Sequence, residues 1–417
     1  MTPREHDDGR SAPDAAGRLV QRLSSGLTQR TALTFVILLG VVSLFGDIVY
    51  EGARSITGPY LGVLGASATV VGITAGLGEL VGYGLRLVSG YVSDRTQQYW
   101  PITLLGYGLT VVAVPLLALV GRWELAAALI IVERLGKAIR TPARDAMLSH
   151  ATARMGHGWG FGVHEALDQV GATTGALFVA TALAARDSYE TGFAVLALPG
   201  VLVLTTLIAA RLLYPRPQDL ERATPPLTTG GFPRVYWLYM AAVAVVAAGY
   251  ADFPLIAYYF QQERVLSSSV IPLYFAVAMA ADALAALVFG RLFDRIGLRV
   301  LMVVSLLAAF FAPLVFLGGA SLALLGVALW GIGLGAQESI MRAAIAPMVS
   351  TQRRGTAYGV FNTGYGLFWF LGSALMGILY DLSLPALIVF STGMQLASIP
   401  LLLWVGRAEP ERPAATG

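Results

Sequence analysis

A short charged motif occurs twice in the chain, at positions separated by almost half of its length. The pattern G-x-x-x-D-R begins at residue 90 and again at residue 290 of a 417-residue sequence, and each copy closes a long apolar stretch. A charged motif that recurs at this spacing in apolar surroundings indicates a membrane protein built from two similar halves. The repeat therefore predicts two bundles of spanning helices with related topology.

The composition supports a membrane protein and excludes several other classes. Hydrophobic residues make up 56% of the chain and charged residues 13%, whereas about a quarter of the residues of a soluble protein are charged. Much of the surface of this protein must therefore contact lipid rather than water. The net charge of +3 is not concentrated in a dense basic cluster that could bind nucleic acid. Cysteine is absent and the four histidines are scattered, so we expect no disulfide, metal site or cofactor.

About twelve stretches of the chain meet the requirement of roughly 20 mainly apolar residues for a spanning helix. They run near residues 32–57, 68–92, 99–120, 123–147, 158–183, 189–213, 235–261, 267–292, 298–318, 321–347, 355–380 and 384–406. We predict an all-α integral membrane protein of twelve transmembrane helices in two pseudo-symmetric six-helix bundles, residues 31–213 and 235–406. The proline-rich residues 214–234 would link the bundles, and residues 1–30 and 407–417 would form disordered tails.

Arginine is distributed unevenly between the loops of the two membrane faces. The tails, the linker and both G-x-x-x-D-R motifs lie on the arginine-rich face, whereas the other face carries little beyond Arg122, Arg186 and Arg264. Basic loops stay in the cytoplasm, so both termini are predicted to be cytoplasmic and the protein to span the cell (inner) membrane. Because the first 30 residues lack the apolar core of a signal peptide, we expect the first apolar stretch to remain as a spanning helix.

Two longer motifs in the first half accompany the repeat. Residues 133–146 read ERLGKAIRTPARDA, residues 161–171 read FGVHEALDQVG, and the second copy of the repeat continues as IGLR at 296–299. These features resemble the major facilitator superfamily, whose loop motif is approximately G-x-L-x-D-R-x-G-R-[RK]. They are most similar to a largely uncharacterised prokaryotic subgroup with D-R-x-G-K-G-I-R-T-x-x-R-D-A in helix four and F-G-x-H-x-x-x-D-x-x-G in helix five.

The resemblance covers about residues 31–406, and it implies both a fold and a mode of action. The implied protein is an alternating-access transporter whose helices one, four, seven and ten line a central cavity. The subgroup implies no substrate. The first copy of the loop motif departs from the family pattern, because it continues as TQQY at residues 96–99 and lacks the later glycine and basic residues.

Ionisable side chains occur within several predicted spans, where each costs at least about 3 kcal/mol and usually faces a cavity or a partner. In the first span, Asp47, Glu51 and Arg54 follow an i, i+4, i+7 spacing and share one face of the helix. Glu133 and Lys137, the only lysine of the chain, follow the same spacing in the fourth span. A carboxylate exposed alternately to two compartments can carry a proton. Asp47 or Glu51, with Glu133 third, is therefore predicted to couple transport to protons.

Further roles are predicted from charge and from position within the spans. Cations could hold a substrate carboxylate or phosphate, and polar groups of the second half could orient it. The predicted substrate-cavity residues are Arg54, Lys137, Arg140, Asp252, Gln337, Glu338, Arg342, Asn362 and Tyr365. The predicted gate and conformational latch comprises Gly90, Asp94, Arg95, Arg144, Asp145, Gly290, Asp294 and Arg295. Secondary candidates are Glu79, Arg86, His164, Glu165 and Asp168.

Within the latch, Asp94 is expected to contact the cytoplasmic end of helix four or the positive N-terminus of helix eleven. Breaking that contact would be a step in inward opening. For any single charge the alternative is a structural salt bridge that sets helix register, and this alternative stays open. For the whole cluster, intramembrane charge favours a transport pathway. The small-xxx-small glycine pairs, such as Gly72/Gly76 and Gly331/Gly335, are interpreted mainly as packing contacts.

The sequence thus predicts a secondary active transporter that moves a small organic solute. It contains no G-x-x-x-x-G-K-[ST] loop for ATP, so coupling to protons is expected, with efflux by antiport preferred and uptake by symport as the alternative. An intramembrane enzyme and a non-transporting sensor on the same fold are less favoured alternatives, since no H-E-x-x-H or G-x-S-x-G motif occurs. The expected partners are the solute, protons and lipid but no nucleic acid, and a monomer suffices.

Overall fold

The computed structural model describes residues 15–152, 157–215, 231–341, 343–345, 348–349 and 354–408. Its regular elements in these ranges are helical, with a short 3₁₀ turn at Leu117–Leu119 and a π-helical turn at Gln337–Met341. The α-helices are α1 (Ala15–Val63), α2 (Ala68–Thr96), α3 (Tyr99–Leu116), α4 (Trp123–Thr152), α5 (His157–Arg186), α6 (Tyr189–Ala194), α7 (Ala197–Leu213), α8 (Arg234–Ala248), α9 (Phe253–Gln262), α10 (Ile271–Ile296), α11 (Arg299–Ala308), α12 (Phe311–Leu317), α13 (Gly319–Ala336), α14 (Arg354–Leu382) and α15 (Leu384–Ala408).

Eleven segments of the described chain are long and apolar enough to cross a membrane. The remaining long helix, α4, is not among them, because it carries charged residues at almost every turn from Glu133 to Asp145. Helices α1–α7 pack on one another as a first bundle and α8–α15 as a second. The prediction of an all-α membrane protein with two helical bundles is confirmed.

The structure describes only part of the predicted tails and linker. Helix α1 begins at Ala15, so residues 15–30 lie in a helix, and the prediction of a disordered tail is wrong for that part of the chain. Residues 1–14, 216–230 and 409–417, which include most of the predicted linker and the rest of both tails, lie outside the described residues.

The two copies of the G-x-x-x-D-R motif occupy the final turns of α2 and α10. Each helix then ends on a residue with positive φ, namely Gln97 at 55° and Gly297 at 62°. Gln97 has the left-handed helical conformation that commonly ends a helix. Gly297 combines its positive φ with a ψ of −144°, a conformation that glycine adopts without steric cost. Both copies of the motif are thus followed by a residue with positive φ, but the two caps differ in ψ. We call this end of the molecule the motif end, and the other the sealed end.

Glycines allow the helices of each bundle to approach closely. A Cβ built on Gly171 would lie 2.5 Å from the carbonyl oxygen of Leu44, and one on Gly331 would lie 2.0 Å from that of Ala278. These contacts join α1 to α5 and α10 to α13. The interpretation of the small-xxx-small pairs as packing contacts agrees with these distances.

The seventh span is broken, and the break presents an acid to the other bundle. Helix α8 ends at Ala248, and α9 starts at Phe253 with Pro254 in its first turn, where the missing N–H removes no helical hydrogen bond. Asp252 occupies the N-cap position of α9 in an extended conformation, yet its carboxylate does not cap the helix. An aspartate at this position usually does so, and here the carboxylate is used elsewhere.

The two bundles are joined at the sealed end by hydrogen bonds between loops and helix termini. Asp381, in the last turn of α14, accepts hydrogen bonds from the backbone and hydroxyl of Thr69 at 2.9 and 2.6 Å. The Tyr258 hydroxyl donates to the carbonyl of Ala66 at 3.2 Å. Close packing accompanies these bonds, because a Cβ on Gly72 would lie 2.4 Å from the carbonyl oxygen of Ser373 on α14. The sealed end is therefore closed in this conformation.

Candidate transport cavity

A cavity of about 490 Å³ lies between the two bundles. Its walls come from α1, α2, α4 and α5 of the first bundle, and from α10, α14 and the end of the tenth span in the second. The lining extends from mid-helix residues such as Arg54 to Asp145 near the motif end of α4. Its volume falls within the range of sites for small organic ligands.

Arg54 lies at the end of the cavity nearest the seal and connects the two bundles. Its Nη2 atom is 2.9 Å from Oδ1 of Asp252, which is fully buried in the break of the seventh span. Two acids of its own bundle are also near, with Glu51 at 3.5 Å and Glu79 at 3.6 Å. One buried arginine thus holds an acid of the second bundle while it remains within reach of two acids of the first.

The network continues from α2 to α4. Arg134 Nη1 is 3.0 Å from Glu79 Oε1, and Arg134 Nε is 3.7 Å from Glu133 Oε2. The other oxygen of Glu133, Oε1, has no hydrogen-bond partner among the described residues. Glu133 borders a much smaller void beside Arg54 rather than the main cavity. Of the three predicted coupling acids, it is the one that does not line the main cavity.

Lys137 reaches the acids of the first helix. Its Nζ atom is 3.9 Å from Glu51 Oε1 and 3.6 Å from the centre of the Tyr50 ring, over which Arg134 also lies at 4.6 Å. An aromatic ring face attracts cations. Tyr50 therefore supports two cations on the α4 face that opens into the cavity.

Arg140 and Asp47 form the next step towards the motif end. Arg140 Nη2 is 3.9 Å from Asp47 Oδ1, its Nη1 donates to Thr110 Oγ1 at 2.8 Å, and its guanidinium lies 4.4 Å from the centre of the Tyr107 ring. Arg140 is thus held by α3 as well as by the carboxylate, and it is 1% exposed. Its contacts with α3 thus hold the Arg140 guanidinium close enough to Asp47 to compensate the charge of that carboxylate.

A separate cluster surrounds Arg144 close to the motif end. Arg144 pairs with Asp145 at 2.9 Å and with Asp168 at 3.6 Å, and it donates to Ser43 Oγ at 2.8 Å. His164 Nε2 is 3.2 Å from the same Ser43 oxygen and 3.7 Å from Asp168. The recorded contacts of Arg144 thus lie within the first bundle. Its predicted latch contact with Asp94 stays a prediction.

The second bundle lines the cavity with a different surface. Its contribution is mostly apolar, with Met279, Leu334 and Trp369, and it adds the acids Asp282 and Glu338. Among the described lining residues, all the arginines and the lysine belong to the first bundle. The cavity is therefore asymmetric. The first bundle contributes paired acids and bases, whereas the second contributes mostly apolar residues and the acids Asp282 and Glu338.

The remaining predicted residues that the structure describes lie away from the cavity lining. Tyr365 donates to Gln337 Oε1 at 3.1 Å, and both are buried in the second bundle. Asn362 is half-buried on α14, and its Oδ1 has no described partner. Asp94 and Arg295 are exposed at the motif end. Arg342 and the side chain of Asp294 lie outside the described residues.

The structure also brings residues to the cavity that were not assigned to it from the sequence. The additional polar or aromatic lining residues are Tyr50, Tyr83, Arg134, Thr141, Gln169, Asp282, Ser339 and Trp369. Tyr50 could have been found from its spacing, because it lies on the same face of α1 as Asp47 and Arg54. Asp282 carried the signal of an intramembrane charge but offered no neighbour in the sequence to suggest a partner.

The ion pairs do not explain the stability of the fold. A buried ion pair is roughly neutral for stability compared with apolar residues of similar volume, while loss of one partner costs about 3–5 kcal/mol. Stability alone therefore gives no reason for a network of this size. Intramembrane charges usually belong to a functional site. Within the described residues, no group of three or more His, Asp or Glu side chains could hold a metal ion.

Two helical bundles around a charged cavity, closed at one end, define a membrane transporter of the two-bundle type. The sequence profile of the Major Facilitator Superfamily matches residues 37–253 and again residues 235–417. The chain belongs to the major facilitator superfamily. The prediction of a transporter rather than an enzyme is thereby confirmed.

Relatives with similar sequences are known from mycobacteria and from an archaeon. An uncharacterised protein of Mycobacterium tuberculosis is 42% identical over 390 residues, which cover 92% of this chain and 95% of the relative. An uncharacterised protein of Mycobacterium bovis is equally similar. An uncharacterised MFS-type transporter of Methanocaldococcus jannaschii is 26% identical over 381 residues, covering 89% of this chain and 94% of that protein.

Solved structures share the fold at low sequence identity. A POT family transporter in complex with a thioalcohol-conjugated peptide superposes with a TM-score of 0.72 at 13% identity, covering 89% of this chain and 96% of that one. An inward-facing, unoccupied bacterial homologue of the human lysosomal transporter Spinster has a TM-score of 0.68 at 14% identity, with 91% and 96% coverage. Similarity at this level concerns the fold alone.

Proposed function

We propose that this protein is a proton-coupled secondary transporter that exports a small organic solute by alternating access. The observation that carries the proposal is the cavity between the bundles, whose floor is crossed by the Arg54–Asp252 pair. A contact of this kind can form only while the bundles are closed at that end. Its making and breaking would accompany the exposure of the cavity to alternate sides of the membrane.

The orientation and organisation of the protein are part of the proposal. The motif end faces the cytoplasm of the cell, as arginine-rich loops do, and the protein acts as a monomer in the inner membrane. The bundles comprise residues 31–213 and 235–406, with the linker at 214–234. The helix-four motif from Glu133 to Ala146 supports membership of the prokaryotic subgroup that the chain resembles.

We assign proton coupling to acids of the first bundle that lie beside cations of the cavity wall. Glu51 lies between Arg54 at 3.5 Å and Lys137 at 3.9 Å. If Glu51 takes up a proton, both cations lose part of their compensation and become available to a substrate anion or to other acids. Asp47 has the equivalent relation to Arg140. Such an exchange links the occupancy of a proton to the state of the cross-bundle pair.

We expect the Glu51→Gln variant to bind solute but to lose coupling. Because glutamine cannot carry the proton, solute-dependent proton flux should fall at least about tenfold, a loss of about 1.4 kcal/mol in the transition state. The measurement uses purified protein in liposomes with a trapped pH-sensitive dye, an imposed pH gradient and a panel of organic anions, cations and zwitterions.

Glu124→Gln serves as the matched control, because Glu124 is an exposed acid on α4 that pairs with the neighbouring Arg122 and does not line the cavity. It should behave like the wild type. Proton movement opposite to the solute supports antiport, and movement in the same direction means uptake by symport. Solute flux without any proton movement in the wild type would contradict proton coupling.

A further inference from the structure

The second bundle contributes a carboxylate that the ion-pair network does not include. Asp282 lies on α10, lines the cavity and is 1% exposed. Its Oδ1 atom has no hydrogen-bond partner, and it forms no ion pair with any residue that the structure describes. A group so buried and so poorly matched is unusual within a span, and the contacts described above do not account for it.

Other buried acids of the cavity have basic partners. Glu79 is 3.0 Å from Arg134, and Asp47 is 3.9 Å from Arg140. A nearby cation compensates the charge of these carboxylates, so they can remain ionised away from bulk water. Asp282 has no comparable compensation in the described structure.

Several acids of neighbouring helices line the cavity together with Asp282. Glu338 on the π-helical turn, Glu165 on α5 and Glu51 on α1 all share the cavity with it. The base that α1 presents there, Arg54, is already engaged in the cross-bundle pair. Within the described part of the chain, Asp282 therefore forms no ion pair with a base of these helices.

On the side away from the cavity, Asp282 packs against α13. A Cβ on Gly335 would lie 2.7 Å from Asp282 Oδ1, so the carboxyl group rests directly on the glycine backbone. The titratable group on that side is Tyr250, whose hydroxyl donates to the carbonyl of Trp330. The described residues on this side of Asp282 therefore provide no cation either, and the close contact with Gly335 leaves no room for a bulky ligand.

We propose that Asp282 is a proton-binding site of the second bundle, loaded while the cavity is open at the sealed end and still occupied in this conformation. A buried carboxylate without a compensating cation becomes neutral by taking up a proton. When water of the cavity that is open at the motif end reaches the carboxyl group, its O–H bond breaks, the proton passes to that water, and the hydrated carboxylate remains. The inference rests on the proposed function, and it adds a proton site opposite the coupling acids of the first bundle.

Infrared difference spectroscopy on the purified protein tests the protonation of Asp282 without any substrate. The wild type should show a C=O stretching band of a protonated carboxyl group, and the Asp282→Asn variant should lose one such band. Asparagine has the shape of the neutral acid, so the variant should fold, and Asp282→Ser gives the same comparison if it does not. Glu124→Gln is the control, because the Glu124 carboxylate is exposed and pairs with Arg122 away from the cavity and the sealed end.

The outcomes separate this inference from the proposed function. The inference is overturned if the infrared band is unchanged in Asp282→Asn and Asp282→Ser. It is also overturned if solute-driven proton flux through the Asp282→Asn variant in liposomes persists at the wild-type rate. If the band is unchanged and Asp282→Asn abolishes binding of tetraphenylphosphonium, Asp282 contacts a cationic solute instead. Absence of proton movement in the wild type would overturn the proposed function, while the infrared comparison would still decide the state of Asp282.

Discussion

The Asp252→Asn variant is expected to open the cavity at the sealed end. Asparagine keeps the size of Asp252 but removes the charge that Arg54 holds at 2.9 Å across the bundles. Arg54 still has Glu51 and Glu79 within reach, so it is not left without compensation. The closed state should therefore lose about 1.5–3 kcal/mol, the usual contribution of a hydrogen bond between charged groups. That loss shifts the ratio of closed to open molecules roughly 10- to 150-fold.

Cysteine labelling measures this shift, because the native chain contains no cysteine. Ser373→Cys reports on the seal, since Ser373 is 1% exposed and packs against Gly72 of the other bundle. Ser339→Cys reports on the cavity, which Ser339 lines. In the Asp252→Asn background, labelling at position 373 should become faster and labelling at position 339 slower.

Glu263→Gln is the matched control for this experiment. Glu263 is an exposed acid that directly follows α9, the helix that Asp252 precedes. Its substitution should leave both labelling rates unchanged. Equal labelling of Asp252→Asn and wild type at both positions would mean that the cross-bundle pair does not bias the conformation, and the role given to Arg54 would be wrong.

The Gly58→Ala variant is expected to disturb the same closure by steric means. A Cβ on Gly58 would lie 1.8 Å from the carbonyl oxygen of Pro254 in α9. This contact joins α1 of the first bundle to the second, so the added methyl group can be accommodated only if the bundles move apart at the sealed end. Overpacking of this kind costs about 1–3 kcal/mol. We expect faster labelling of Ser373→Cys and slower solute transport, although Arg54 and Asp252 are unchanged.

Gly108→Ala provides the comparison for Gly58→Ala. Gly108 lies in α3, and a Cβ there would have no atom within 4 Å. Both substitutions gain the same helical propensity, about 1 kcal/mol, so a difference between them isolates the contact with Pro254. If Gly58→Ala lowers the thermal unfolding temperature but leaves labelling at position 373 unchanged, the contact serves folding and does not control the seal.

The spacing of charges predicted a shared face on the first helix, and the structure has Asp47, Glu51 and Arg54 together on the cavity wall. Their role in transport stays a prediction. The helical period shows which face of a helix a residue occupies, but it does not show what faces it. For that reason Gln337 and Tyr365, chosen as polar residues of the second half, turned out to bond to each other inside that bundle.

The amino-acid sequence by itself determined the membrane-spanning helices, the two-bundle repeat and the helix faces that carry charge, because burial in lipid imposes length and polarity on every span. Only the tertiary structure decided which charges are compensated. Asp252 and Asp282 look alike in the sequence as isolated acids within apolar spans. Chain folding brings Arg54 to the first and leaves the second without a described basic partner, since ion pairing depends on distances of a few ångströms between residues far apart in the chain.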